Sequence, residues 1–483
     1  VYPLPNSPLP NSPLPSSPLP SSPPPKPPRR APLRTLLAAL LLATGCGGGE
    51  PEAPARKTPE PLPPIVVFDV DTLRPDHLGC YGYERPTSPA IDAFAEESVR
   101  FHWAFSQGPN TPPSQTSIFT SLYPTTHGRF DDQQVVPESV VTLAEVLKEV
   151  GYATGAFVDG GLMAAEFGLD QGFDLYDDEA GGVDRIDAKA RDWLRAHRDR
   201  PFFLLVHSYD VHSPYERTPE PWKSTFLGQV EEPSEEFRAR MTELMEERRL
   251  SRYGDDPHAL TPVQVEWARA LYDGGILHVD DWFGRFLAFL EEEGVYDRAI
   301  LVFLSDHGDE FEEHDSVFHE RIYATVTRIP LMIRFPGGRH RGVVEEAVES
   351  IDLMPTLLDV LGLEPPDGIQ GQSLLPRIRG EGGLREMAIS ESIYFGRRVA
   401  LATSDLRLVY TAQSGDAELY EYRRDPFERH DVAAEHPEVV ERLVRGVGQW
   451  QALVESRRHD AEEVEEMKDD TLEQLRALGY LGD

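Results

Sequence analysis

From residue 65 onward, short apolar runs of strand length alternate with longer stretches whose apolar residues recur at helical spacing. Residues 65–68 (I-V-V-F) read as a buried strand running into Asp69, Val70 and Asp71. Thr142 and Glu145 form a capping box ahead of L-A-E-V-L-K-E-V, and Gly151 marks the stop. Residues 202–207 (F-F-L-L-V-H) are strand-like and end in S-Y-D-V-H-S-P-Y. Thr261, Pro262 and Gln264 open a long helix through Tyr272, Ile276, Val279 and Phe283 to about Glu293. Residues 299–304 are another buried strand, ending in S-D-H-G-D-E; 331–335 is a strand ending in P-G-G, and 352–361 a further helix. Continuous apolar strands between amphipathic helices predict an α/β fold, a large, mostly parallel sheet covered by helices on both faces. A smaller C-terminal α+β subdomain follows, with short strands near 398–403, 406–411 and 418–422 and a helix from about Pro437.

Ligands of such sheets bind beyond the carboxyl ends of the strands. Three strand ends here carry Asp71, then Asp210 with His212, then Asp306 with His307. Oxygen and imidazole ligands gathered on one sheet edge point to a divalent cation. A single Asp at a strand end is more often a turn former or a helix cap, so the argument rests on the set.

The first 64 residues are built differently: they hold 20 of the 43 prolines, and residues 1–25 form a Pro-rich low-complexity segment in which 3–25 repeat S-P-L-P. Such a tract favours polyproline II and buries no core. The chain opens with Val1 and its first methionine is Met163, so the translation start is expected downstream of Val1. Lys26, Arg29, Arg30 and Arg34, a short apolar run over 36–43, and A-T-G-C ending at Cys46 make residues 26–46 a secretory signal. The small residues before Cys46 resemble a bacterial lipobox, which implies cleavage there and a lipid on the Cys46 sulfur. With Gly47 following, the expectation is a lipoprotein of the cell envelope, outer-membrane and facing periplasm or exterior. Residues 47–64 read as a flexible tether, 65–380 as the catalytic domain and 381–483 as the C-terminal subdomain.

With 40% hydrophobic residues the chain can bury a sizeable core. Its formal charge of −36 excludes nucleic acid as a partner, since phosphate backbones are bound by clustered Lys and Arg. Two cysteines, Cys46 and Cys80, make neither a disulfide framework nor a thiolate zinc site. Acidic stretches such as 462–466 read as solvated faces.

Residues 109–128 read P-N-T-P-P-S-Q-T-S-I-F-T-S-L-Y-P-T-T-H-G and resemble the signature of the sulfatase family, within the alkaline-phosphatase superfamily. Residues 71–83, 210–215, 305–314, 329–337, 350–362 and 418–428 resemble further blocks of that family, in the right order over roughly 65–480. The resemblance implies an alkaline-phosphatase-like fold and metal-dependent hydrolysis of sulfate or phosphate esters. Asp71, Asp306 and His307 would hold the cation (Zn, Mn or Ca), with Thr111 Oγ1 as a further ligand.

Several positions depart from the family pattern. Thr111 stands where the family has Cys or Ser, so no formylglycine is expected; Gln115 replaces an Arg, and Asp71-Thr72 replaces Asp-Asp. Asp306-His307 instead of Asp-Asn resembles the relatives that cleave phosphodiesters and phosphonates. A metal-activated Thr111 hydroxyl can attack phosphorus, with His212 or His319 protonating the leaving oxygen. An alkyl sulfo-threonine lacks the exit open to a formylglycine hemiacetal, which favours phosphate esters and diesters over sulfate esters. Substrates are small-molecule, glycan or lipid esters; Asp210, His212 and His319 are the candidates for a second metal site. Two other functions fit the same residues, phosphoryl transfer to an acceptor other than water and a metal-binding pseudoenzyme serving as a surface adaptor. Of the remaining groups, Asp69 shares a strand face with Asp71, His127 reads as packing, His314 as solvated and Cys80 as a small buried residue.

Overall fold

The computed structural model describes residues 61–250, 259–382, 387–464, 467–478 and Tyr480. The Pro-rich segment, the secretory segment with Cys46 and the tether up to residue 60 lie outside the described residues. Pro63 and Pro64, just ahead of strand Ile65–Val70, are held in place: the Pro64 carbonyl accepts from Ile300 N at 2.8 Å, and the Pro63 carbonyl from the Tyr152 hydroxyl at 2.8 Å.

Ten strands belong to the catalytic part: β1 Ile65–Val70, β2 Val99–Phe105, β3 Ala153–Phe157, β4 Leu175–Asp177, β5 Phe202–Ser208, β6 Ile300–Leu304, β7 Glu310–Phe311, β8 Val317–Phe318, β9 Arg328–Arg334 and β10 Gly342–Glu349. Eight of them form one sheet in the order β10-β2-β9-β6-β1-β5-β3-β4, while β7 and β8 make a small hairpin. Neighbours are parallel except around β9, which runs antiparallel to both β2 and β6. The expected α/β architecture is observed, with β9 as its antiparallel exception.

The centre of the sheet is where the apolar runs are longest. Every residue of β1, β5 and β6 is buried. Val66, Phe68 and Val70 face the long helix Pro262–Glu292, with the Phe68 ring 5.0 Å from that of Phe283. Ile65 and Val67 face the opposite layer, which holds the helices Leu143–Glu149, Thr111–Thr120 and Leu353–Leu361. Because side chains alternate along a strand, Asp69 and Asp71 emerge on this second face, under helix Thr111–Thr120. The registers Asp69↔His207 and Asp69↔Leu304 bring the ends of β5 and β6 alongside, so residues 208–212 and 305–307 leave the sheet beside Asp71.

The predicted capping box Thr142–Glu145 is present, and the expected start of the long helix proves to be a second one, Thr261–Gln264. The helix Pro89–Glu96 is capped instead by a carboxylate from another element: Asp280 Oδ1 accepts from Ala90 N at 2.9 Å and Ile91 N at 2.8 Å. Burial pushes the Asp280 carboxyl up to about 7, from an ordinary value of 3.8. The folded state therefore holds a proton here that the unfolded chain releases, so this contribution to stability is full below pH 4 and is lost as pH rises through 7. Asp280→Asn keeps the acceptor oxygen and loses the proton. Urea midpoints measured from pH 4 to 8 should fall less steeply in Asp280→Asn than in the wild type.

The second sheet, β11 Ala388–Ser392, β12 Arg398–Ala402, β13 Arg407–Thr411 and β14 Ala417–Tyr420, is antiparallel in sequence order and packs against helix Pro437–Glu455. The buried pair Arg407–Glu428 clasps it to the catalytic part: Arg407 Nη2 donates to the Ile322 carbonyl at 2.7 Å, and Glu428 Oε2 accepts from Ala324 N at 2.9 Å. Residues 459–464, 467–478 and Tyr480 then return to the catalytic part as a strap. His459 N donates to the Thr126 carbonyl at 2.7 Å, Glu463 bridges Gln134, and helix Asp469–Ala477 lays Leu475 among Leu162, Ala164 and Phe167. Among the described residues no helix is long and apolar enough to cross a membrane.

Candidate active site

Thr111 is the first residue of helix Thr111–Thr120, all of whose residues are buried. Three of its hydroxyls are satisfied by backbone carbonyls four residues back: Ser114 Oγ donates to the Asn110 carbonyl at 2.5 Å, Thr116 Oγ1 to Pro112 at 2.7 Å and Thr120 Oγ1 to Thr116 at 2.6 Å. Pro112 and Pro113 sit where a helix has no use for an N–H. Thr111 Oγ1 donates to Asp71 Oδ2 at 3.1 Å and lies 3.4 Å from His307 Nε2. The residue after Asp71, Thr72, has φ 59°, a left-handed conformation that a β-branched side chain adopts only under constraint. Its carbonyl accepts from the Tyr272 hydroxyl at 2.7 Å, which locks the turn that presents Asp71.

Among the described residues, Asp71, Asp306 and His307 bring ligand atoms within 4.8 Å of one another, all three fully buried. His307 Nδ1 donates to the Gly308 carbonyl at 3.0 Å, so Nε2 presents its lone pair to the cluster, 3.5 Å from Asp306 Oδ2. Asp71 Oδ1 and Asp306 Oδ2 are buried and accept no hydrogen bond, and neither does either oxygen of Asp69. Burial, then the Asp306 charge, then that of Asp69 hold the Asp71 carboxyl well above its usual range; burial and Asp306 do the same to Asp69. Three buried carboxylates with open oxygens form a seat for a cation.

On the open side of Thr111 stand His212, His319 and Tyr480. His212 Nδ1 donates to the Ser213 carbonyl at 2.5 Å, leaving Nε2 as an acceptor; burial and then the neighbouring His319 push this imidazole down to about 3. His319 Nδ1 is 2.6 Å from Asp309 Oδ1, and the Tyr215 hydroxyl holds the other Asp309 oxygen at 2.8 Å. Phe318, at φ 67°, turns the backbone that delivers His319. The Tyr480 hydroxyl lies 3.0 Å from His212 Nε2, 3.4 Å from His319 Nε2 and 3.4 Å from Thr111 Oγ1.

The structure thus brings together Asp71, Thr111, Asp306, His307, His212 and His319, but not Asp210. That carboxylate accepts from Val183 N at 2.7 Å, at the start of helix Gly182–His197, and its other oxygen faces His278 at 3.6 Å. The expected grouping of Asp210 with His212 and His319 in a second metal site is corrected accordingly: Asp210 serves a helix terminus. His314 also differs from its expectation as solvated, since it pairs with Glu310 and stacks on Tyr323 at 3.6 Å. Cys80 is half-buried. His127 is packed as expected, its Nδ1 accepting from Arg129 N at 3.1 Å and its Nε2 3.1 Å from Ser117 Oγ. Sequence reasoning missed His207, Asp309 and Tyr480. His207, 3.6 Å from Asp71, was signalled only by an imidazole ending an apolar strand, and Asp309 by a second acid in S-D-H-G-D-E; Tyr480 had no signal.

A buried acid-and-imidazole cluster beyond the central strands of such a sheet, facing a hydroxyl at a helix N-terminus, is the site of an ester hydrolase of alkaline-phosphatase type. The family model described as "Sulfatase" matches residues 63–363, and "N-sulphoglucosamine sulphohydrolase, C-terminal" matches 312–452. The chain belongs to the sulfatase family, whose members are metal-dependent sulfuric ester hydrolases. It is 26% identical to the protein described as uncharacterized sulfatase YidJ of Escherichia coli, over 77% of this chain and 83% of that one. It is 23% identical to an N-acetylglucosamine-6-O-sulfatase of Bacteroides thetaiotaomicron, over 82% and 86%. A phosphonate monoester hydrolase of Agrobacterium radiobacter has the same fold, with a TM-score of 0.67 at 22% identity over 81% of this chain and 96% of that one. The family's metal fits the residues present, because the open oxygens of Asp71 and Asp306 and the bare Nε2 of His307 are a donor set for a divalent cation.

Proposed function

We propose that this chain hydrolyses phosphate esters, diesters above all, through a covalent phospho-Thr111. The observation that carries the reading is the placement of the Thr111 hydroxyl, hydrogen-bonded to Asp71 and flanked by His307 on one side, with the His319–Asp309 pair across the opening. A cation held by Asp71, Asp306 and His307 would lower the pKa of the hydroxyl and neutralise charge on the transferred group. Asp71 Oδ2 takes the hydroxyl hydrogen and aims an Oγ1 lone pair at phosphorus. The Oγ1–P bond forms as the bond to the leaving oxygen breaks, and His319, oriented by its Nδ1 contact with Asp309, gives that oxygen its proton. Water then attacks phosphorus and yields its proton to His319, while Thr111 regains its own from Asp71. His212, with Nδ1 committed to the Ser213 carbonyl, serves as an acceptor rather than an acid.

The cleft over the site, about 800 Å³, supports a substrate of limited negative charge. Among the described residues, Asp131, Asp132, Glu216, Glu243, Glu246 and Glu320 line it against Arg240 and Arg476. Such a wall repels polysulfated glycans and suits a neutral or cationic leaving group. The test loads residues 47–483 with Zn, Mn or Ca and compares an aryl phosphate diester, an aryl phosphate monoester and an aryl sulfate. Acid quenching during diester turnover should trap a phosphoryl group on the Thr111 peptide; turnover of the aryl sulfate alone rejects the proposal.

A further inference from the structure

We propose that Tyr480 is a catalytic residue of this site, its phenol O–H donating to a non-bridging oxygen of the group that Thr111 attacks. The inference rests on Thr111 being the nucleophile. The first observation is position. The phenol stands 3.4 Å from Thr111 Oγ1 and 3.4 Å from His319 Nε2, on the open side of the nucleophile, where a phosphoryl or sulfuryl group joined to Oγ1 would present its outer oxygens. His212 Nε2, an acceptor 3.0 Å away, holds the phenol hydrogen until an anionic oxygen enters and takes it. His212 itself offers no N–H from Nε2 and Gln115 replaces the family's Arg, so a donor is wanted on this side of the nucleophile.

The second observation is that the tail delivering Tyr480 is built into the domain. Leu475 and Leu478 are buried, and Gly161 N donates to Gln474 Oε1 at 2.7 Å. Val135 N donates to the Glu462 carbonyl at 2.9 Å and Val464 N to that of Gln133 at 2.8 Å. The catalytic part is also hollowed to receive the tail. A Cβ on Gly128 would stand 2.5 Å from the His459 carbonyl, and one on Gly160 2.2 Å from Gln474 Oε1; both glycines have positive φ. Withdrawing the strap would expose those leucines and break these bonds, so Tyr480 is a fixed wall of the site rather than a plug that leaves to admit substrate.

Tyr480→Phe removes the hydroxyl and keeps the ring. On the metal-loaded protein and whichever ester the wild type turns over, kcat should fall about 100-fold with KM changed far less, the loss typical of one missing oxyanion donor. Calorimetric affinity for vanadate, which mimics the five-coordinate transition state, should weaken by a comparable factor while the thermal midpoint stays in place. A wild-type or raised kcat with unchanged vanadate affinity overturns the proposal, because the hydroxyl would then be idle or obstructive. Thr111→Ala, run in parallel, separates the two readings. If it is inactive while Tyr480→Phe matches the wild type, the nucleophile stands and Tyr480 falls; if Thr111→Ala keeps wild-type activity, both fall.

Discussion

Thr111→Ala should lower kcat for phosphodiester hydrolysis by at least about 10⁴-fold, the scale on which enzymes of covalent mechanism lose rate when their nucleophile is removed. Nothing else in the cluster can substitute: Asp71 and His307 point into the cation seat, and Ser114 Oγ is bound to the Asn110 carbonyl. The substitution deletes few atoms from a fully buried position, so the cost in stability is about 1 kcal/mol and metal binding persists through Asp71, Asp306 and His307. Thr111→Ser keeps the hydroxyl at the same helix terminus and should retain most of the activity. The measurement is kcat at saturating diester with metal content determined on the same samples. A Thr111→Ala variant within tenfold of the wild type would mean that water, not threonine, attacks.

The second large effect concerns charge. Asp69, Asp71 and Asp306 are buried together, and Asp306 raises the proton affinity of the other two. In the metal-free protein this repulsion opposes folding; a bound cation reverses it. Chelation should lower the thermal midpoint of the wild type, since a metal present at a thousand times its Kd contributes about 4 kcal/mol to stability. Asp306→Asn removes one carboxylate charge and should melt above the chelated wild type, yet gain nothing on metal addition and lose activity by about 10³-fold or more. Melting curves with and without chelator, paired with metal analysis, decide it. An Asp306→Asn protein that still binds metal and is stabilised by it would place the cation elsewhere.

The parts of the fold that were legible are those where local pattern and burial coincide. β1, β5 and β6 are buried on both faces and read as unbroken apolar runs, and the two capping boxes carry their own signature. β2 (V-R-F-H-W-A-F) and β10 (G-V-V-E-E-A-V-E) interleave polar residues near the sheet edge, and β3 (A-T-G-A-F) is made of small ones, so none announces itself. The antiparallel run of β9 is a matter of tertiary connection that its own residues do not encode. Within the site, strand ends exposed Asp71, Asp306 and His307, and the resemblance to the family pointed to Thr111. Asp210 looked the same in sequence because a carboxylate that caps a helix and one that binds a cation occupy the same kind of strand end. Tyr480 is 369 residues from Thr111, and nothing near it in the chain marks it as polar machinery.

That separation has a consequence for how damage to the strap would show itself. Thr111 and the metal-seat residues belong to the part built around the central sheet, whereas Tyr480 reaches them on a segment 369 residues away. None of the eight strands of the central sheet comes from that segment. Cutting that segment would uncover Leu162, Ala164 and Phe167 and release the phenol, while Asp71, Thr111, Asp306 and His307 keep their supports. On the proposed role of the phenol, a nick in helix Asp469–Ala477 would separate two properties that an intact protein shows together, lowering turnover while metal content stays.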